Sequence, residues 1–261
     1  MEKQIILTLP DGSTENFNVG VTGKEIAQKI SKELFENAVA MKLNGNVVDL
    51  NTKVMEDSQV QILTTKDKEG MDVFRHSTAH LMAHAIKELY PYAKFTIGPV
   101  VEEGFYYDME HDPFKPEDLK KIEYKMHDIM KKKMPIERQE ITKKAALELF
   151  KDNPYKLEMI NELEEGTITI YRQGDFVDLC RGPHIPNTGL IKAFKLTKIA
   201  GAYWRGDAKN KQLQRIYGIS FPSKEDLEKH LKLIEEAEKR DHRKLGKELE
   251  LFSFHDEAPG M

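Results

Sequence analysis

The chain has 261 residues, 39% hydrophobic and 32% charged, with 40 Lys and Arg against 44 Asp and Glu, a formal net charge of −4. That composition suits a soluble globular protein of one large domain or two modest ones, and it excludes binding to nucleic acid through bulk positive charge. No apolar run reaches the length of a membrane span, the start MEKQIILTLPDG lacks a signal-peptide layout, and the single cysteine, Cys180, excludes an internal disulfide framework, which makes a reducing compartment, the cytoplasm, the default.

Ile5, Leu7 and Leu9 alternate before the turn Pro10-Asp11-Gly12, and a second short strand follows over 16–19. Thr22 and Glu25 stand at capping-box spacing and open a helix with Ile26 and Ile30 on its expected buried face. Strands follow at 39–43, at 47–48 after the turn Asn44-Gly45, and at 60–63. This order predicts a small β-grasp, ubiquitin-like domain over residues 1–63, without a catalytic grouping. The polar stretch TTKDKEG then reads as a linker, placed at 64–72.

A helix is expected from about Asp72 to Leu89, ended by Pro91. A hairpin (95–101 and 104–108), helices at 116–133, 142–150 and 154–163, and strands at 167–171, 176–179, 194–199 and 213–219 complete a larger mixed α+β domain over 73–222. From Ser223 the chain reads as one long charged connector helix, 223–247, with a narrow apolar stripe of Leu227, Leu231, Ile234 and Ala237. Residues 248–261 read as the start of a further domain. The predicted class is α+β throughout.

His76, His80 and His84 recur every four residues on one predicted helix. Each step advances about 400°, so neighbours lie only about 40° apart around the axis. His76 and His80 therefore project together, while His84 has drifted towards another role. The second cluster is DLCRGPH, in which the turn at Gly182-Pro183 lets Cys180 and His184 point into one space. Two His from a helix plus Cys and His from a turn match the ligand types of tetrahedral zinc. The same set also suits a metal-free pocket in which imidazoles deprotonate water, or a Cys180 nucleophile activated by a neighbouring His. Between Lys192 and Arg215, seven basic residues face the single acid Asp207, which is either a solvated face or an anion-binding stretch.

RHSTAHLMAHAIK, GPVVEEGFYYD, DLCRGPH, GAYWRGD and LQRIYG together resemble consecutive landmarks of the editing domain of threonyl-tRNA synthetases. The start resembles their TGS domain, and EKRDHRKLGKELELF resembles their connector into the synthetic core. The resemblance implies hydrolysis of mischarged seryl-tRNA that carries the threonine anticodon. Serine differs from threonine by one methyl, worth only about 1–3 kcal/mol, so a synthetic site alone discriminates too weakly between them.

By resemblance, His76, His80, Cys180 and His184 line the hydrolytic pocket, with His76 as the water-positioning base and His80 and His184 as orienting groups. Lys156, in NPYKLEM, resembles the family's catalytic lysine. Tyr107, Asp178 and Arg181 resemble substrate-binding residues, with Asp178 suited to the α-ammonium. Tyr203, Trp204 and Arg205 fall where the resemblance implies contact with the tRNA acceptor end and its 3′-terminal adenosine; the alternative for Trp204 is plain core packing. The resemblance further implies no metal or cofactor in this region. ATP, Mg and Zn belong to the parent's synthetic domain, and a parent homodimer would form through that core. Two other readings stay open: a zinc-dependent hydrolase of another ester, and a non-catalytic tRNA-binding module.

Overall fold

A computed structural model describes residues 3–164 and 166–239. Contacts divide the chain into one compact unit up to Pro222 and a second from Ser223.

The chain opens with β1 (Gln4–Thr8), β2 (Thr14–Asn18), β3 (Val21–Thr22), α1 (Gly23–Ile30), α2 (Lys32–Asn37), β4 (Ala38–Leu43), β5 (Asn46–Val48), β6 (Lys53–Val54) and β7 (Ser58–Thr64). Among the described residues these strands form a five-stranded sheet in the order β2-β1-β7-β4-β5, with β1 and β7 parallel, and a small β3-β6 pair. This is the β-grasp arrangement that the sequence predicts. Thr22 and Glu25 form the expected capping box, which satisfies otherwise orphaned N–H groups at the start of α1. Ile26 is fully buried, but Ile30 is 42% exposed and Ala27 takes its expected place. The short helix α2 is an addition to the predicted elements; none of its residues is buried, so it leaves no apolar periodicity to read.

The next elements are α3 (Lys68–Leu89), β8 (Lys94–Phe95), β9 (Val100–Val101), β10 (Gly104–Glu110), α4 (Pro116–Lys131), β11 (Ile136–Thr142), α5 (Lys143–Leu149), α6 (Pro154–Glu162), β12 (Thr167–Gln173), β13 (Phe176–Leu179), β14 (Ala193–Tyr203) and β15 (Gln212–Phe221). They build a sheet in the order β14-β15-β10-β8, with β9 on β10, and a three-stranded sheet β11-β12-β13. Strand β11 was not predicted. Among the described residues it pairs with β12 alone, and only Ile136 is buried, with Gln139 and Ile141 half-buried, so its sequence carries too few apolar positions to mark a strand.

The expected linker at 64–72 is corrected by the structure. Thr64 ends β7, Asp67 Oδ2 accepts from the Thr64 N–H at 2.8 Å, and α3 has begun by Lys68. A Cβ on Gly70 would stand 2.0 Å from the Thr64 carbonyl oxygen, so the absence of a side chain lets the helix lie directly on the strand end. Val39, Ala40 and Leu63 of the first sheet share one core with Phe74, Leu81, Met82 and Ile86 of α3 and Phe105 and Tyr107 of β10. Each of the larger aliphatic and Phe side chains among them contributes about 1.5–3 kcal/mol through burial. The two sheets therefore sandwich α3 and hold its histidine face in a fixed position.

The second unit is described as α7 (Lys224–Lys239). Ser223 caps it, accepting from the Asp226 N–H at 3.1 Å. Ile234 of the predicted stripe is 39% exposed. The expected continuation of the helix to 247 and the segment 248–261 lie outside the described residues.

Candidate active site

Helix α3 and the turn after β13 bring the four predicted residues together. The ligand-type atoms of His76, His80, Cys180 and His184 all lie within 4.8 Å of one another. His76 Nε2 is 3.1 Å from Cys180 Sγ, and His184 Nε2 is 3.5 Å from the same sulfur. The rings of His76 and His184 stack at 4.5 Å.

The surroundings fix which ring nitrogen carries the proton. His76 Nδ1 lies 3.1 Å from the Gly98 carbonyl oxygen, which only accepts, so Nδ1 carries the hydrogen and the Nε2 lone pair faces the pocket. Ser77 Oγ donates to the Val73 carbonyl and accepts from the Ile185 N–H, which leaves its second lone pair for His184 Nδ1–H at 3.0 Å. His184 Nε2 is then also unprotonated and turned inward. Gly98 is required there, because a Cβ would come within 2.4 Å of the Tyr107 ring.

Behind the imidazoles lies a buried ionic group. Lys156 and Asp178 are each 2% exposed, with Nζ and Oδ1 2.6 Å apart. Lys156 Nζ also donates to the Thr96 carbonyl at 2.7 Å. Asp178 Oδ2 accepts from the Tyr107 hydroxyl and stands 3.5 Å from His80 Nε2. Asn153 Oδ1 caps α6 and so places Lys156. A cavity of about 430 Å3 reaches this pair from one side, past Phe95, Asn153 and Phe176. A second cleft, of about 840 Å3, is lined by Thr169, Leu179, Cys180 and the exposed Arg181, giving an elongated ligand a route as far as Cys180.

Burial pushes the His76, His80 and His184 pKa values down, well below the ordinary value for His80 and His184, and the Lys156 charge adds to the effect at His76 and His80. The Cys180 thiol is pushed up to about 12, chiefly by burial and then by the Asp178 charge. The pocket thus offers neutral imidazole bases and a protonated thiol, which is unfavourable to a Cys180 nucleophile. Because these histidines bind protons more weakly folded than unfolded, their contribution to stability is fully present above the unfolded value of about 6.5, begins to be lost as pH falls below it, and is gone only once pH has fallen through the lowered folded values. Urea midpoints are therefore expected to decline steadily from pH 7 to 5; a midpoint constant over that range contradicts the buried neutral cluster.

Residues 5–64 match the TGS domain family, and residues 168–217 match the family described as threonyl and alanyl tRNA synthetase second additional domain. A threonine–tRNA ligase of Desulfosudis oleivorans is 51% identical over 257 residues, 98% of this chain and 40% of that protein. One from Desulforapulum autotrophicum is 54% identical over 257 residues, again 98% and 40%. One from Caldanaerobacter subterraneus is 51% identical over 263 residues, 99% of this chain and 41% of the relative. This chain belongs to the threonyl-tRNA synthetase family. It carries the TGS and editing domains and spans about 40% of the length of the curated relatives it matches.

Within the editing domain, the remaining predicted residues are dispersed. Trp204 is 8% exposed, packs edge-on against Tyr155 at 5.1 Å and donates from Nε1 to Glu158. It forms a small core with Tyr155 and Leu213, which corrects its reading as a stacking platform. Trp204→Ala is expected to cost about 3 kcal/mol in urea unfolding and to leave tRNA affinity unchanged. A selective loss of tRNA affinity would contradict this placement. Arg205 pairs with Glu158 and Glu162 at 2.8 and 2.5 Å, while Tyr203 is 44% exposed. Lys195, Lys211 and Arg215 face Glu123, Glu110 and Asp108, and Lys198 lies over the Tyr217 ring. The basic run is therefore largely engaged within the protein, and a phosphate arriving there competes with these carboxylates. No described helix is long and apolar enough to cross a membrane.

His84 has the separate role that its angular drift predicts. Its Nδ1 lies 2.9 Å from Gln173 Nε2, and its ring stacks on Phe176 at 5.4 Å. The sequence reading missed Ser77, Gly98, Tyr171 and Asp49. Tyr171 donates to Asp49 Oδ2 at 2.7 Å, and Asp49 Oδ1 accepts from the His184 N–H at 3.0 Å. Gly182, with φ +71°, gives Tyr171 room, since a Cβ there would meet its hydroxyl at 1.9 Å. Only Gly182 had a sequence signal, as part of the Gly-Pro turn.

Proposed function

We propose that this chain hydrolyses the aminoacyl ester of a mischarged tRNA, with seryl-tRNA bearing the threonine anticodon as its substrate. The observation that carries the reading is the inward Nε2 lone pair of His76, fixed by the Gly98 carbonyl, beside a second inward lone pair on His184. The acceptor end enters along the cleft that Cys180 and Arg181 line. His76 Nε2 takes a proton from the attacking water, which adds to the ester carbonyl, and the 3′-terminal ribose oxygen leaves with a proton returned from the imidazolium. His80 and His184 hold the water and the ester in line. Asp178 carries the negative charge that attracts the α-ammonium, sharing it with Lys156 and Tyr107. Lys156, whose ammonium bonds Thr96 and Asp178, acts by fixing that carboxylate and keeping the nearby imidazoles neutral.

A second reading has one observation in its favour: the His76, His80, Cys180 and His184 donor set is compact and of the right types for tetrahedral zinc. The test is the time course of seryl-tRNA deacylation by the purified chain, before and after chelation, with the metal content measured. Hydrolysis that persists without metal supports the proposal. Stoichiometric zinc lost together with activity would overturn the metal-free reading, and absence of deacylation in both states would leave a tRNA-binding module. For a whole protein of the relatives' length we propose ATP-dependent ligation of threonine to tRNA in the cytoplasm, by a homodimer whose ATP, Mg and Zn belong to a synthetic domain.

A further inference from the structure

The β-grasp domain carries no catalytic grouping of its own, yet one of its side chains reaches the turn that carries His184. Asp49 follows β5 directly, and the next residue, Leu50, is buried in the first core at 3% exposure. The Leu50 carbonyl accepts from Lys24 N–H at 3.1 Å and the Asp49 carbonyl accepts from Thr52 N–H at 2.9 Å. A Cβ on Gly23 would come within 3.1 Å of Leu50, so this loop is pressed against α1. The Asp49 backbone is therefore anchored by the first domain, while its carboxylate serves the second.

Both carboxylate oxygens are used there. Oδ1 accepts from the His184 backbone N–H at 3.0 Å, and Oδ2 accepts from the Tyr171 hydroxyl at 2.7 Å. The Tyr171 ring in turn packs edge-on against the His184 ring at 4.4 Å. One side chain thus fixes the backbone of His184 directly and its ring through Tyr171. Ser77 holds the same imidazole from α3. A carboxylate with two aligned donors is a stiff connection, because it resists both translation and rotation of the group it holds.

We propose that Asp49 is a positioning residue of the editing pocket, through which the β-grasp domain sets the orientation of His184. The inference rests on the proposed hydrolysis for its kinetic consequence, whereas its geometric consequence is measurable without any turnover. Losing Asp49 lets His184 swing, which misplaces the ester and releases the sulfur of Cys180, the chain's single cysteine, from its 3.5 Å contact with His184 Nε2. Displacements on the order of 1 Å in such a pocket cost up to ~100-fold in rate.

The experiment compares Asp49→Ala, Asp49→Asn and Tyr171→Phe with the unaltered chain, each checked for an intact cooperative melt. One readout is the rate of Cys180 alkylation by iodoacetamide; the other is kcat and KM for seryl-tRNA deacylation. Asp49→Ala is expected to speed alkylation at least ~10-fold and to lower kcat by ~10- to 100-fold, with KM within about twofold. Asp49→Asn retains an oxygen for the His184 N–H and is expected to recover most of both. Tyr171→Phe, which keeps that bond and frees the ring, should fall between them. Alkylation and kcat at wild-type levels in a folded Asp49→Ala or Tyr171→Phe chain would overturn the proposal. A rise in KM with kcat unchanged would also overturn it, since that marks a binding defect. Faster alkylation in a chain whose unaltered form hydrolyses no seryl-tRNA would support the positioning role and sink the hydrolytic reading alone.

Discussion

Lys156→Met is expected to destabilise the chain by about 3–5 kcal/mol, because it strands the Asp178 carboxylate in the interior. Both partners are 2% exposed and 2.6 Å apart. Methionine occupies much of the lysine stem, so packing changes little and the loss is electrostatic. Tyr107 still donates to Asp178, but one neutral donor does not replace an ammonium. The measurement is a urea midpoint shift at unchanged slope. A loss below about 1 kcal/mol would show that the pair contributes little. The double variant Lys156→Met with Asp178→Leu removes both charges and is expected to recover at least half the lost stability. It should recover no hydrolysis, since the carboxylate facing His80 is gone. Stability and chemistry therefore separate at this pair.

His76→Ala is expected to lower kcat for seryl-tRNA deacylation by about 10²–10⁴, the usual contribution of a positioned base. KM should stay within a few-fold, because His76 touches Gly98 and Cys180 rather than the cleft's outer residues. The wild-type rate is expected to be flat around neutral pH and to fall only in acid, since burial holds the His76 pKa below its ordinary value. Removal of the base should abolish that acid limb. A His76→Ala chain that deacylates at the wild-type rate would reassign the base, with His184 the next candidate by its inward Nε2.

Local spacing made half of this site legible. His76 and His80 one turn apart, and Cys180 and His184 across a Gly-Pro turn, point inward because helix and turn geometry are short-range. Lys156 carried no such signal: as sequence it is a helix-surface lysine, and only the family resemblance marked it out. Its burial against Thr96 and Asp178 is a tertiary fact. Asp49 and Tyr171 were illegible for a stronger reason, since they meet across 122 positions and belong to different predicted domains. The linker at 64–72 misled by composition, because its polar residues make a tight turn, Asp67 accepting from the Thr64 N–H, and α3 has begun by Lys68. Trp204 and the basic run followed the bland alternative: a core ring, and cations already paired with nearby acids.

The central claim is hydrolysis that discriminates by the amino acid. Its most direct test is single-turnover deacylation of the same threonine-specific tRNA charged with serine or with threonine, by the chain at neutral pH. Faster release of serine, by at least the ~10-fold that one methyl supplies, is the expected result. Equal rates on the two esters would contradict the proofreading account, whatever the pocket's geometry.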